Sequence, residues 1–154
     1  MIKIRKIKRK DLSQLNELLS QLAGDIADLE KMKKIFKKID KNKNYYLFGA
    51  FENDLLVGSI MGVLCYDMVM NCKPFMVMEN MIVKKEKKRL GIGRLLLEKL
   101  EKIAYKNKCI FIQFCSSSFR KEAHRFYESM GYHPDEVKEY RKFMDMNDKP
   151  KPND

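Results

Sequence analysis

Two glycines, Gly91 and Gly93, separate a mostly basic run from an apolar-periodic segment. The basic run covers residues 84–89, and the leucines that follow it predict a helix over about 92–106. The first N–H groups of a helix have no internal partner, and the helix dipole adds partial positive charge there. Glycine allows an anion to approach the backbone closely. The turn is therefore expected to bind a ligand that carries a pyrophosphate.

Two common phosphate-binding motifs do not fit this turn. The nucleotide P-loop has Lys followed by Ser or Thr after its second glycine, where this chain has Arg94 and Leu95. The dinucleotide fingerprint has three glycines that open an early βαβ unit, whereas here two glycines lie past the midpoint of the chain. The alternative interpretation of these residues is a glycine turn that begins a helix and binds no ligand.

A second segment, residues 116–134, predicts another helix after an apolar strand. The serines at 116–118 are natural N-terminal caps, and Ala123, Phe126, Tyr127 and Met130 follow at helical spacing. A glycine at 131 and a proline at 134 predict where this helix ends.

Together these two segments resemble the GNAT-type N-acetyltransferases. The family's first signature is Arg/Gln-x-x-Gly-x-Gly/Ala, which appears here as Lys88-Arg89-Leu90-Gly91-Ile92-Gly93. Its second signature is Ala-x-x-Phe-Tyr-x-x-x-Gly-Tyr/Phe, which appears as the run from Ala123 to Tyr132. The chain departs from the family at Lys88, where Arg or Gln is usual, and at Arg120, where Asn is often found.

The resemblance implies transfer of an acetyl group from acetyl-coenzyme A to a primary amine, by direct attack in a ternary complex. It also implies that strands four and five part, with the pantetheine arm of the coenzyme in the gap. The implied cofactor-binding residues are Met81, Ile82, Val83, Lys88, Arg89, Leu90, Gly91, Ile92, Gly93, Arg94, Leu95, Ser117, Arg120 and Tyr127. No metal is expected.

Two residues are candidates for catalysis. The resemblance implies that the hydroxyl of Tyr127 points at the coenzyme sulfur as the acid, and the alternative is a core aromatic residue. Glu79 is the candidate base, because a buried carboxylate in an apolar strand could take a proton through a water. The alternative is a solvated or ion-paired glutamate. Strand alternation places Asn80 on the opposite face.

Other side chains are weaker candidates for the acceptor site. Tyr66 and Asp67 follow strand three and could line such a pocket, with a plain loop as the alternative. Methionines could form a plastic apolar pocket or fill the core: Met68, Met70, Met76 and Met78. His124 is expected on a helix surface or beside a carboxylate.

Composition narrows the class of protein. The chain has 154 residues, 45% of them hydrophobic, and a net charge of +11. No stretch is apolar enough to predict a membrane span, and the N-terminus lacks the apolar core of a secretory signal. The four cysteines lack zinc-ligand spacing, so reduced thiols and a cytoplasmic location are expected. Lysines are scattered without interleaved aromatic residues, so no specific nucleic-acid partner is expected.

The predicted fold class is α/β (α+β), a GNAT-like mixed sheet that is mostly antiparallel. Six to seven strands and about four helices are expected in one N-acetyltransferase domain over residues 1–146, followed by a disordered tail at 147–154. The predicted strands are 2–7, 45–51, 55–65, 75–83, 109–114 and 137–144, and the later helices are 92–106 and 119–130. A first helix begins at Asp11 or Ser13, and a second carries apolar residues from Ile26 to Ile39.

Two other functions fit the same residues. One is a catalytically silent coenzyme A-binding regulatory protein of this fold, and the other is a basic nucleic-acid-binding domain. The expected partner is a small-molecule or peptide amine, whose identity the sequence does not reveal. Family members often form dimers, so the resemblance also implies a homodimer as one expected assembly.

Overall fold

A computed structural model describes residues 1–134 and 139–143 of the chain. These residues form two compact units, of which the first covers Met1–Phe114 and the second begins at Cys115. The first unit contains five strands: β1 Ile2–Lys6, β2 Tyr45–Glu52, β3 Leu55–Cys65, β4 Phe75–Val83 and β5 Ile112–Gln113. It also contains three α-helices: α1 Leu12–Ala23, α2 Leu29–Lys41 and α3 Ile92–Lys106. The second unit contains α4, Lys121–Ser129.

The strands form one mixed sheet in chain order, β1-β2-β3-β4-β5. The first four pair antiparallel with their neighbours, and β4 pairs parallel with β5. The prediction of a mixed, mostly antiparallel sheet is therefore confirmed, with five described strands rather than six or seven. Part of the predicted strand over 137–144 lies outside the described residues, and 139–143 form no strand. The predicted tail, 147–154, lies wholly outside them.

Helix α3 packs closely on one face of the sheet because β3 has glycines beneath it. A Cβ atom at Gly62 would lie 2.3 Å from Leu100 Cδ1, and one at Gly58 would lie 3.1 Å from Leu96 Cδ1. The helix residues that face the sheet recur at helical spacing and are fully buried: Ile92, Leu96, Leu97, Leu100 and Ala104. Their burial supplies much of the core on this face.

Helix α1 packs on the opposite face of the sheet, toward β3 and β4. Its buried leucines join apolar residues of β1, β2 and β3 in one cluster: Ile7, Leu12, Leu15, Leu18, Phe51 and Leu56. Residues of α2 and Ile82 of β4 pack against this cluster. The first half of α1 is tied to the loop that follows the helix by Asn16, which bonds both the carbonyl and the N–H of Ala27.

An ion pair fixes the turn between β1 and α1. Asp11 is buried and accepts hydrogen bonds from both guanidinium nitrogens of Arg5, at 2.6 and 3.0 Å, and from the N–H of Lys8. The hydrogen bond from Arg5 is the main cause that lowers the pKa of Asp11 from its ordinary value. The pair therefore stabilises the fold above the carboxyl's unfolded pKa, and that stability is lost as pH falls through its folded pKa.

Candidate functional site

The loop after β4 is tied to the rest of the first unit at two points. Lys84 donates its backbone N–H to Val57 O at 2.9 Å, and Lys87 Nζ lies 2.5 Å from Glu52 Oε2 at the end of β2. The hydrogen bond from Lys87 lowers the pKa of Glu52. Lys87 therefore anchors the loop, whereas sequence analysis grouped it with the lysines of the expected phosphate site.

Helix α3 begins with main-chain donors that have no partner. Arg89 and Gly91 both have left-handed backbone angles, with φ of 62° and 77°, and these turn the chain sharply into the helix. No side chain caps Gly91, and the first helical bond runs from Leu95 N to Gly91 O. Within the described part of the chain, no acceptor contacts the N–H groups of residues 92–94. These donors and the helix dipole make an anion site.

A bulge interrupts β4 just before this loop. Ser59 of β3 pairs with Ile82 and Met61 pairs with Glu79, so three steps along β4 match two along β3. The extra residue is accommodated at Asn80, whose φ is 53°. The predicted alternation of Glu79 and Asn80 is therefore wrong. The buried positions run Met76, Met78 and then Met81, so the bulge shifts the alternation by one residue.

The second half of β4 has no partner on its β5 side among the described residues. Parallel pairing with β5 is limited to Met76 with Ile112 and Val77 with Gln113. Met81, Ile82 and Val83 lie in this stretch, where Ile82 and Val83 pair with β3 on the other side of the strand. Their assignment to the pantetheine arm stays a prediction. The predicted strand over 109–114 is shortened to two residues, because only Ile112 and Gln113 are paired in register with β4.

Glu79 lies at the bulge and is exposed. Of the two alternatives for this residue, the structure shows the solvated one, so the expected burial is wrong. Directly across the bulge, Ser59 Oγ is buried and is the buried side-chain polar atom without a partner among the described residues. Ser59 was not among the predicted site residues, although it is a lone serine inside the apolar strand LLVGSIMGVLC.

The second unit contains the other candidate residues. Tyr127 on α4 is 7% exposed, and burial raises its pKa above the ordinary value, against the opposing charge of Arg120. Helix α4 ends where Tyr132 N bonds Tyr127 O and Gly131 has a φ of 87°. Phe126 contacts the tyrosine ring, with centroids 5.4 Å apart.

The predicted serine caps of α4 are wrong. The N-cap residue is Arg120, whose N–H bonds Ser117 O in a turn, so the helix begins beyond the reach of the serine side chains. Ser116 Oγ instead lies 3.2 Å from His124 Nε2, which gives that histidine a hydroxyl partner rather than a carboxylate. Ser117 is exposed beside this turn.

The remaining candidate residues, the methionines, lie either in the core or on the surface. Met76 and Met78 are buried, so they fill the core, whereas Met68 and Met70 are exposed on the loop after β3. Residues 1–134 and 139–143 contain no cluster of His, Cys, Asp or Glu that could hold a metal ion. Over the same ranges, no helix has the length and apolar character needed to cross a membrane.

The chain is similar to known acetyltransferases in sequence pattern and in fold. The family model described as acetyltransferase (GNAT) family matches residues 12–132. A comparison with curated proteins found no match. Among solved structures, a putative acetyltransferase from Agrobacterium tumefaciens superposes with a TM-score of 0.85 at 19% identity, covering 92% of this chain and 99% of that one.

Two further solved structures have the same fold. Glucosamine-6-phosphate N-acetyltransferase from Arabidopsis thaliana gives a TM-score of 0.81 at 19% identity, covering 94% of this chain and 99% of that one. AAC(6')-Iy, solved with the bisubstrate analogue CoA-S-monomethyl-acetylneamine, gives 0.79 at 18% identity, with coverages of 94% and 99%.

Proposed function

Because the chain belongs to the acetyltransferase (GNAT) family, we propose that it transfers an acetyl group from acetyl-coenzyme A to a primary amine within a ternary complex. The observation that carries the proposal is that, among the residues the structure describes, the N–H groups at the start of α3 have no partner and the second half of the preceding strand β4 is unpaired on its β5 side. We also propose that the protein acts in the cytoplasm, since all four cysteines are free.

The cofactor would be held at two places in the first unit. The N–H groups of residues 92–94 would bind the pyrophosphate, and the charges of Lys88 and Arg89 lie in the turn that precedes them. The backbone of Met81, Ile82 and Val83 would hydrogen-bond the pantetheine arm, because that edge of β4 lacks a strand partner. Bound acetyl-coenzyme A supplies the thioester.

The reaction needs a neutral amine, because only its lone pair can attack, and a free alkylamine is mostly protonated at neutral pH. The exposed carboxylate of Glu79 can accept the excess proton through a water. A backbone N–H near the bulge at Asn80 would polarise the carbonyl as charge develops on its oxygen.

The leaving thiolate needs a proton or a hydrogen-bond donor. We assign this role to Tyr127 from the family's second signature. Its phenol is protonated at neutral pH, as an acid requires, and burial raises the pKa further above its ordinary value.

The test has two stages. Acetyl-coenzyme A should first raise the melting temperature of the protein, since a ligand that binds only the folded state stabilises it. A panel of amines is then screened for release of free thiol. Tyr127→Phe should lower kcat by about 100-fold and keep the cofactor-induced stabilisation. Tyr105→Phe, which alters an exposed tyrosine on α3, is the matched control and should behave as the unmodified protein.

Two outcomes contradict this proposal. Stabilisation by the cofactor without turnover of any amine supports the silent coenzyme A-binding alternative. No stabilisation at all shows that the amides at the start of α3 do not bind the cofactor. Equal kcat for Tyr127→Phe and the control removes Tyr127 from the chemistry and leaves the rest intact.

A further inference from the structure

One face of β3, β4 and β5 is apolar and only partly covered. Gly62 and Met76 face α3, because a Cβ atom at Gly62 would contact both Leu100 and the sulfur of Met76. The alternate residues must therefore lie on the other face, and the pairs Met61 with Glu79 and Val63 with Val77 share it. The residues of this β3–β5 face are Met61, Val63, Cys65, Phe75, Val77, Glu79, Phe111 and the exposed, polar Gln113.

The two faces of the same strands differ in burial. On the α3 side, Leu64, Met76 and Met78 are buried. The apolar residues of the β3–β5 face are all half-buried, except for Phe111, which is 41% exposed. An exposed apolar surface of this kind marks a binding site for a ligand or a partner more often than chance.

Two aromatic rings lie on this face and contact each other. The centroids of Phe75 and Phe111 lie 5.2 Å apart with a tilt of 32°, so a ring of β4 contacts the ring that directly precedes β5. At the same end of the sheet, the loop after β3 exposes Tyr66, Met68, Val69 and Met70. Methionine side chains adapt to ligands of different shape, so this loop suits a variable apolar body.

One carboxylate lies on this face although the protein is strongly basic. Glu79 is the charged residue of the three strands, and the loop between β3 and β4 contains one charge of each sign, Asp67 and Lys73. Residues 44–72 contain no Lys or Arg, in a chain that has 32 of them. A ligand with one positive charge and an apolar body therefore matches the face, whereas a polycation would place charge on apolar side chains.

We propose that the β3–β5 face binds the acceptor, and that the acceptor is a monoamine with an apolar, preferably aromatic, body. This proposal rests on the proposed acetyltransferase function. Val77 and Glu79 lie on one side of β4, so an apolar body over Val77 and Phe111 places its amine beside Glu79 and the bulge. The neutral amine nitrogen bonds to the thioester carbon, the C–S bond breaks, and the nitrogen loses a proton through water to Glu79. The thiolate takes its proton from Tyr127, the acid proposed above.

The test compares four primary amines: 2-phenylethylamine, hexylamine, ethanolamine and spermidine. The kcat/KM for 2-phenylethylamine should exceed that for ethanolamine by at least about 10-fold, with hexylamine between them, since added apolar contact in a pocket discriminates on this scale. Spermidine should be no better than ethanolamine. A preference for ethanolamine or spermidine overturns the inference and leaves the acetyltransferase proposal standing.

Two variants test whether the preference among amines arises from the β3–β5 face. Phe111→Ser should raise the KM for 2-phenylethylamine about 5-fold and leave the KM for ethanolamine and for acetyl-coenzyme A unchanged. Val77→Thr keeps the shape of the side chain and should also raise the KM for 2-phenylethylamine. It replaces Phe111→Ser as the test if that variant folds poorly. Tyr105→Ser removes a ring from α3, at a position 88% exposed and away from this face, and is the control.

Three results contradict the inference at this stage. The first is an equal change in KM for all amines with Phe111→Ser, and the second is the same change in the Tyr105→Ser control. Both leave turnover itself intact, so the proposed function survives them. The third is absence of turnover with every amine, which overturns the inference together with the acetyltransferase proposal.

Discussion

The two halves of β4 have opposite roles although they belong to one strand. The first half, Phe75 to Met78, pairs regularly with β3 and partly with β5, and its methionines are buried. The second half, Glu79 to Val83, contains the bulge, has no partner on the β5 side within the described part of the chain, and leads into the basic loop. The fold therefore depends on regular pairing, and the proposed site lies where this pairing ends.

The largest effect is expected from the regular half. Met76→Ala should lower the free energy of unfolding by about 3 kcal/mol, because the side chain is 0% exposed and its loss leaves a cavity under α3. Urea unfolding measures the change. Met68→Ala, at a position 92% exposed, is the control and should change stability by less than about 0.5 kcal/mol. Equal losses of unfolding free energy in the two variants would contradict a stabilising role for the regular half of β4.

A smaller effect is expected at the loop that follows the irregular half. Lys87→Ala should raise the KM for acetyl-coenzyme A about threefold with little change in kcat, because the loop loses its anchor to Glu52. Glu52→Gln should reproduce the result, since it removes the same contact from the other side. Initial rates at varied cofactor concentration provide the measurement.

The neighbouring Lys85 offers a control for that prediction. Lys85→Ala removes the same charge from an exposed position and should change the KM for the cofactor by less than Lys87→Ala. If both variants raise the KM for the cofactor equally, then cofactor binding depends on charge alone and the anchoring role of Lys87 is wrong. Restoration of the KM by the paired exchange Glu52→Lys with Lys87→Glu would support it.

The smallest effect is expected at the bulge itself. Asn80→Gly should change the free energy of unfolding by no more than about 0.5 kcal/mol, because glycine adopts the left-handed backbone at no steric cost. Val77→Gly in the regular half should cost about 1 kcal/mol or more, since a strand interior disfavours glycine. Thermal unfolding of the two variants side by side tests the difference, and a greater loss at Asn80 would contradict it.

Elements with strong periodicity could be predicted from the sequence. The bounds of β3, β4 and α3 agree with the predicted ranges, because their apolar residues recur at strand or helix spacing and the glycines at 91 and 93 mark where α3 begins. The donor site at the start of α3 could be predicted for the same reason, since helix geometry alone leaves those amides without partners.

Features set by long-range pairing could not be predicted. The bulge at Asn80 arises from the register between β3 and β4, and no local residue pattern marks it. The length of β5 depends on where it meets β4, so alternation over 109–114 overestimated it. Glu79 was expected to be buried because its strand is apolar, yet the shift in alternation leaves both 79 and 80 exposed.

The missing side chain of Gly62 has a consequence for the far end of α3. Leu100 fills the space that a Cβ atom would need, so the helix cannot slide along its axis without driving that leucine into the strand. Because a helix is stiff over such a distance, locking it at Leu100 also locks its first turn at Ile92 and Gly93. The position of the expected phosphate site is therefore fixed about two helical turns away, where Gly62 has a hydrogen atom in place of a side chain.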